Sequence, residues 1–174
     1  MEQYDFDLDP VSFITIGTTG VPGDRTFYLQ AAQGSQVVSL IIEKEHAYAL
    51  GTSLQRLFTE LERRSPTLVG PVQPDEAEMA LLEPVAADFR AARLGVGVDE
   101  EQRQVVLVAD EGAEGEDGQR ARFVATFEQM QALSHQALTV VGQGRPTCPL
   151  CGESIDPEGH FCPRSNGHHR LELD

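Results

Sequence analysis

The residues best suited to chemistry are Cys148, Cys151 and Cys162, the only three cysteines in a chain of 174 residues. Cys148-Pro149-Leu150-Cys151-Gly152 has the form of a zinc knuckle. In such a turn the backbone N–H groups point at the sulfurs and both thiolates reach one metal. A tetrahedral Zn2+ site needs four donors, so three thiolates require one more. His160, His168 and His169 are the candidates. In extended backbone the side chains of His160 and Cys162, which flank Phe161, point to the same face. That pairing gives C-x2-C-x8-H-x-C; a C-x5-H site closing on His168, six residues beyond Cys162, is also sterically feasible.

Three thiolates and one imidazole form a closed shell and make the ion a poor Lewis acid. Catalytic zinc usually keeps three protein ligands and an open position, often with a carboxylate base at hand. The expected role is therefore structural. A segment this short has too little core to fold without its metal. The plainer alternative is a disordered tail with incidental cysteines, and the specificity of the knuckle argues against it.

The body in front of the cysteines must position them, and composition bounds what that body is. Hydrophobic content of 40% and charged content of 24% fit a globular chain and exclude wholesale disorder and fibrous classes. No apolar run approaches the ~20 residues that span a bilayer. Met1 to Asp5 is acidic with no apolar signal core behind it, so a cytoplasmic protein is expected. Zinc in a reducing compartment then fits the odd cysteine count better than disulfides do. A formal net charge of −15 disfavours nucleic acid, whose affinity rests on Lys and Arg neutralising phosphates. Arg145, Arg164 and Arg170 leave a small opening for such contact in the tail alone.

Residues 12–18, 25–32 and 36–43 are rich in β-branched and aromatic residues and are punctuated by glycines, which predicts strands joined by hairpin turns. From Glu43 the period changes. Ala47, Leu50, Leu54, Leu57, Phe58 and Leu61 share one helical face, and Ser65-Pro66 ends the helix. The second half repeats the plan. Residues 103–109 align with 25–31 without gaps, matching Arg103 to Arg25 and Leu107 to Leu29, and Leu94-Gly95 aligns with Ile16-Gly17 at the same offset. Residues 121–127 supply a third strand, and a helix follows with Met130, Leu133, Ala137, Val140 and Val141.

The expected fold is α+β. Two tandem βββα repeats form antiparallel sheet with helices on one side, and a small C-terminal zinc ribbon or knuckle is appended. The divisions are 1–65 for the first repeat, 66–87 for a Pro-rich acidic connector, 88–144 for the second repeat and 145–174 for the zinc tail. One helical turn is expected near Ala77 to Leu82.

The tail motif CPLCG…DPEGHFCPRSNG, taken with GVPGDRTFYLQA near the start, resembles an uncharacterised conserved-protein family of actinobacteria, domain of unknown function 3090. The resemblance runs nearly the whole chain. It implies Cys148, Cys151, His160 and Cys162 as the ligand set, because the family commonly has an aromatic residue where this sequence has His168. It also implies a protein partner, since relatives are encoded beside a histidine-phosphatase-like and a lipid-kinase-like protein.

Other features carry less. Gly17 to Arg25 invites a phosphate-loop reading but lacks the Gly-Lys-Ser/Thr ending and leads into a strand, so a hairpin turn is expected. Arg25 and Arg103 could meet an anion near a pseudo-two-fold axis, although strand-edge arginines more often pair with carboxylates. His46 and His135 have no nucleophile motif near them. The leading reading is a non-enzymatic binding or adaptor protein with a structural zinc. The alternative is an enzyme acting on a small anionic or phosphorylated metabolite in a cleft between the repeats.

Overall fold

A computed structural model describes residues 3–113, 117–143, 148–152, 155, 160–164 and 170–171, with residues 160, 161, 170 and 171 described by backbone alone. In the first half a short strand β1 (Phe6–Leu8) precedes a meander of β2 (Phe13–Val21), β3 (Asp24–Gln33) and β4 (Gln36–Ile42), followed by helix α1 (Lys44–Arg64). In the second half β5 (Phe89–Arg90) precedes β6 (Arg93–Asp99), β7 (Gln104–Asp110) and β8 (Arg120–Thr126), followed by α2 (Phe127–Gly142). Two short antiparallel strands, β9 (His160–Phe161) and β10 (Arg170–Leu171), lie in the tail.

Turn chemistry fixes the first meander. Val21 pairs with Asp24, leaving Pro22-Gly23 as a two-residue loop in which proline presets φ and Gly23 adopts φ +90°. This is the hairpin expected over Gly17 to Arg25. Period-two alternation then sends Ile16, Leu29 and Leu40 to one face, all of them buried. Thr15, Gln30 and Ser39 form a row on the other face and are also buried, under the connector. The connector satisfies that row. Thr15 donates to the Met79 carbonyl (2.5 Å), and the Gln30 amide both accepts from Leu82 N–H (2.7 Å) and donates to the Leu82 carbonyl (3.1 Å). Met79 N–H donates to the Asp75 carbonyl (3.1 Å), one turn placed slightly ahead of the turn expected at 77–82.

The strand order is β2-β3-β4-β5 in one sheet and β1-β8-β7-β6 in the other. Each sheet is therefore mixed: three strands are antiparallel, and a parallel strand comes from the segment that precedes the opposite half's meander. The backbone bonds on the two sides correspond. Val11 N–H donates to the Val124 carbonyl (2.8 Å) and Ala91 N–H to the Ile41 carbonyl (2.9 Å). One residue on, Ser12 N–H donates to the Ala32 carbonyl and Ala92 N–H to the Asp110 carbonyl, both at 2.8 Å. The gapless alignment of the halves does slip. Leu29 faces Ile16, whereas Leu107 faces Val96 and not Leu94, because the second hairpin turns over 100–103 where the first needs only Pro22 and Gly23.

Both helices open on reciprocal caps. Glu43 N–H donates to His46 Nδ1 (3.2 Å), so His46 caps its own helix. At α2 Thr126 N–H donates to Gln129 Oε1 (2.9 Å) and Gln129 N–H to Thr126 Oγ1 (3.1 Å). Phe127 thus begins the helix and does not end the preceding strand. The helices touch where Ser134 Oγ donates to the Gly51 carbonyl (2.7 Å). Phe58, two turns past Gly51, meets Phe127, two turns before Ser134, edge-on at 5.5 Å, so the helices cross antiparallel. One apolar cluster unites both helices with both sheets, from Ile16 and Leu40 to Leu107 and Phe123.

Candidate metal centre

Gly152 closes the knuckle. Its φ of +78° is a left-handed conformation that suits glycine, and its N–H donates to the Cys148 carbonyl (2.9 Å). The turn brings Cys151 back beside Cys148. Cys162 arrives from β9, and the three Sγ atoms lie within 4.8 Å of one another. Cys148 and Cys162 are 1% and 0% exposed, Cys151 is half-buried, and Ile155 packs against them in an apolar cluster distinct from the main core.

Sulfur spacing distinguishes the chemistries open to this cluster. Cys148 Sγ and Cys162 Sγ stand 3.8 Å apart. A disulfide would need ~2.05 Å. Two thiolates on one tetrahedral ion with Zn–S bonds of ~2.3 Å stand about 3.8 Å apart. The sulfurs thus fit ligands converging on one ion.

The sequence singled out four ligands, and three of them come together here. The backbone of His160 lies two residues before Cys162 in β9, paired with Leu171 of β10. Its side chain lies outside the described residues, as do His168, His169 and Arg145.

The two arginines read as possible anion contacts are each engaged within the body. Arg25 donates to the Val140 carbonyl at the end of α2 (2.9 Å) and lies over the Phe27 ring. Partial burial lowers its pKa from the ordinary guanidinium value. Arg103 donates to the Leu68 carbonyl just beyond α1 (2.9 Å), pairs with Glu128 and lies over Phe127. The hydrogen bond from Arg103 holds the Glu128 carboxyl below its usual pKa. Each arginine therefore ties down the chain at the end of the opposite half's helix.

A groove of about 770 Å3 does run between α1, α2 and the connector. Phe58, Val69, Pro71 and Leu138 supply its apolar wall, and Gln131, which donates to the Gly70 carbonyl (2.9 Å), and exposed His135 supply polar groups. Among the described residues no lysine or arginine lines it, so these offer an anionic metabolite no counter-charge.

A buried carboxylate of the body, Asp110, escaped sequence reasoning. Asp110 accepts from Arg120 Nε (2.6 Å) and Arg93 Nη2 (2.8 Å). Burial raises its pKa, but the bonds from Arg120 and Arg93 outweigh that and leave it below the ordinary value. Nothing local marks Asp110, which stands beside Glu111 at the mouth of an acidic loop; only the register joins it to both arginines.

Among the described residues no helix is long and apolar enough to cross a membrane. A family model described as a protein of unknown function (DUF3090) matches residues 6–162. No curated protein and no solved structure matches the chain.

Proposed function

The chain belongs to the family of unknown function DUF3090, and from that premise we propose that it is a zinc-binding adaptor protein whose metal is structural. In this reading Cys148, Cys151, His160 and Cys162 close a Cys3His shell around one Zn2+. The observation that carries it is the convergence of three cysteine sulfurs within 4.8 Å, two of the cysteines buried. A saturated shell leaves no position for water or substrate, so the ion acts by holding the tail in shape. We further read the body as an internal duplication, supported by the matching element order and by the paired backbone bonds at Val11/Ala91 and Ser12/Ala92. Its partner is taken to be a protein, with phosphatase-like and kinase-like proteins the first to test by pull-down.

Metal analysis of the purified full chain tests the zinc reading. One zinc per chain is expected, reduced at least tenfold by Cys162→Ser. His160→Ala should weaken binding about 10–100-fold, whereas His168→Ala should leave it unchanged. Cobalt substitution should give the absorption of a tetrahedral thiolate-rich site. Wild-type protein purified without a stoichiometric metal, or a five- or six-coordinate cobalt spectrum, would overturn the proposal.

A further inference from the structure

We propose that the outer edge of β6 is a self-pairing surface through which two copies of the chain join their second sheets into one continuous sheet. Strand β6 ends its sheet, so one side of its backbone has no strand partner among the described residues. Such an edge presents a row of N–H and C=O groups ready to pair with another strand. Its side chains are under-buried for their position. Val96 and Val98 lie opposite Leu107 and Val105, which are 0% exposed, yet are themselves 42% and 43% exposed. Leu94 and Val96 also border a groove of about 240 Å3 against Leu50 of α1, so the apolar surface continues past the strand.

The corresponding edge of the first sheet shows what covering looks like. There Gln136 of α2 donates to the Ile16 carbonyl (3.2 Å). The connector lays Leu81 so closely on Gly17 that an added Cβ would lie 2.6 Å from Leu81 Cγ. At β6 the neighbouring helix residue Ser53 of α1, which lines the groove beside Leu94 and Val96, is itself exposed. Added Cβ atoms at Gly95 and Gly97 would meet nothing within 4 Å.

The occupant is argued from the strand's own sequence, which is self-complementary about Val96. Antiparallel pairing of Arg93–Asp99 with a second copy places Arg93 opposite Asp99 at both ends and Leu94 opposite Val98. It sets Gly95 opposite Gly97 and Val96 against Val96 of the second copy on the two-fold axis. The charged and apolar pairs are of the kinds that stabilise antiparallel strands, and the two glycine pairs between them add no clash. Against this stands the repulsion between two chains of formal charge −15. Salt screens that repulsion, so the association should strengthen as ionic strength rises.

Sedimentation velocity on the zinc-loaded full chain should show a weak dimer that grows with protein concentration and with salt. Val96→Lys puts two ammonium groups on the axis and should weaken association about tenfold or more while leaving the melting temperature unchanged. Register is tested by cross-linking, with the wild-type chain as background for its own cysteines. Val96→Cys brings two thiols onto strands whose opposed Cα atoms are about 4.5–5.5 Å apart, within disulfide reach, and should oxidise readily to a covalent dimer. Val98→Cys separates the two thiols by roughly 14 Å along the strands and should not. Four outcomes would each overturn the proposal: a monomer at every concentration and salt; a dimer indifferent to Val96→Lys; equal cross-linking by both cysteine variants; or a monomer whose β6 amides resist hydrogen exchange, which would place this chain's own tail on the edge.

Discussion

At the scale of single residues, the carboxylate of Asp110 joins the strands of the second sheet through two ion pairs. It holds Arg93 of β6 and Arg120 of β8 from β7 between them, so one side chain ties three strands. Asp110→Asn removes the charge with little change of shape. Because Arg93 and Arg120 remain 50% and 31% exposed, solvent screens the pair, and the loss should be about 1–2 kcal/mol at neutral pH by urea unfolding. The folded pKa of Asp110 lies below its ordinary 3.8. Its stabilisation is therefore fully present above that ordinary value and is lost as pH falls through the lower folded value. The gap between wild type and Asp110→Asn should accordingly close in strong acid; a constant gap from pH 7 to pH 2 would rule out the ion pair as its source. The cysteine cluster was legible at this scale because the spacing is local: Cys148, Cys151 and Gly152 describe one turn. Asp110 was not, since its partners lie 17 and 10 residues away and are chosen by strand register.

Among the elements, the crossing of α1 and α2 is one joint between the halves. It needs a glycine. A Cβ at Gly51 would lie 2.9 Å from Leu138 Cγ and 3.2 Å from Ala137 Cβ, and the Gly51 carbonyl receives the Ser134 hydroxyl. Gly51→Val should overpack this contact and destabilise the chain by about 1–3 kcal/mol, measured by urea unfolding. A neutral result would mean that the helices are free to separate. The helices themselves were readable because a 3.6-residue period leaves a face such as Ala47, Leu50, Leu54, Phe58 and Leu61, all now found buried. The meanders were readable from alternation and from Pro22-Gly23. The strands β1 and β5 were not, because three and two residues are too few to display any period. The slip between the halves was equally hidden, since it arises from the length of a turn and leaves each strand's own pattern intact.

On the scale of the whole molecule, neither half is complete without the other. Strand β1 closes the sheet built by the second half, β5 closes the sheet built by the first, and both helices bury into one shared cluster. A chain cut within the connector should therefore give two fragments that are largely unfolded alone and regain β-sheet and helix when mixed, measured by circular dichroism. Independent folding of residues 1–65 would contradict a shared core. The pairing of β1 with β8 also bears on how the chain is made. Arg122 donates to Asp7 across a separation of 115 residues (2.9 Å). At the ~5–20 residues per second of synthesis, that stretch takes roughly 6–23 s to translate. Throughout that interval β1, with Leu8 destined for full burial, exists without the strand it pairs with.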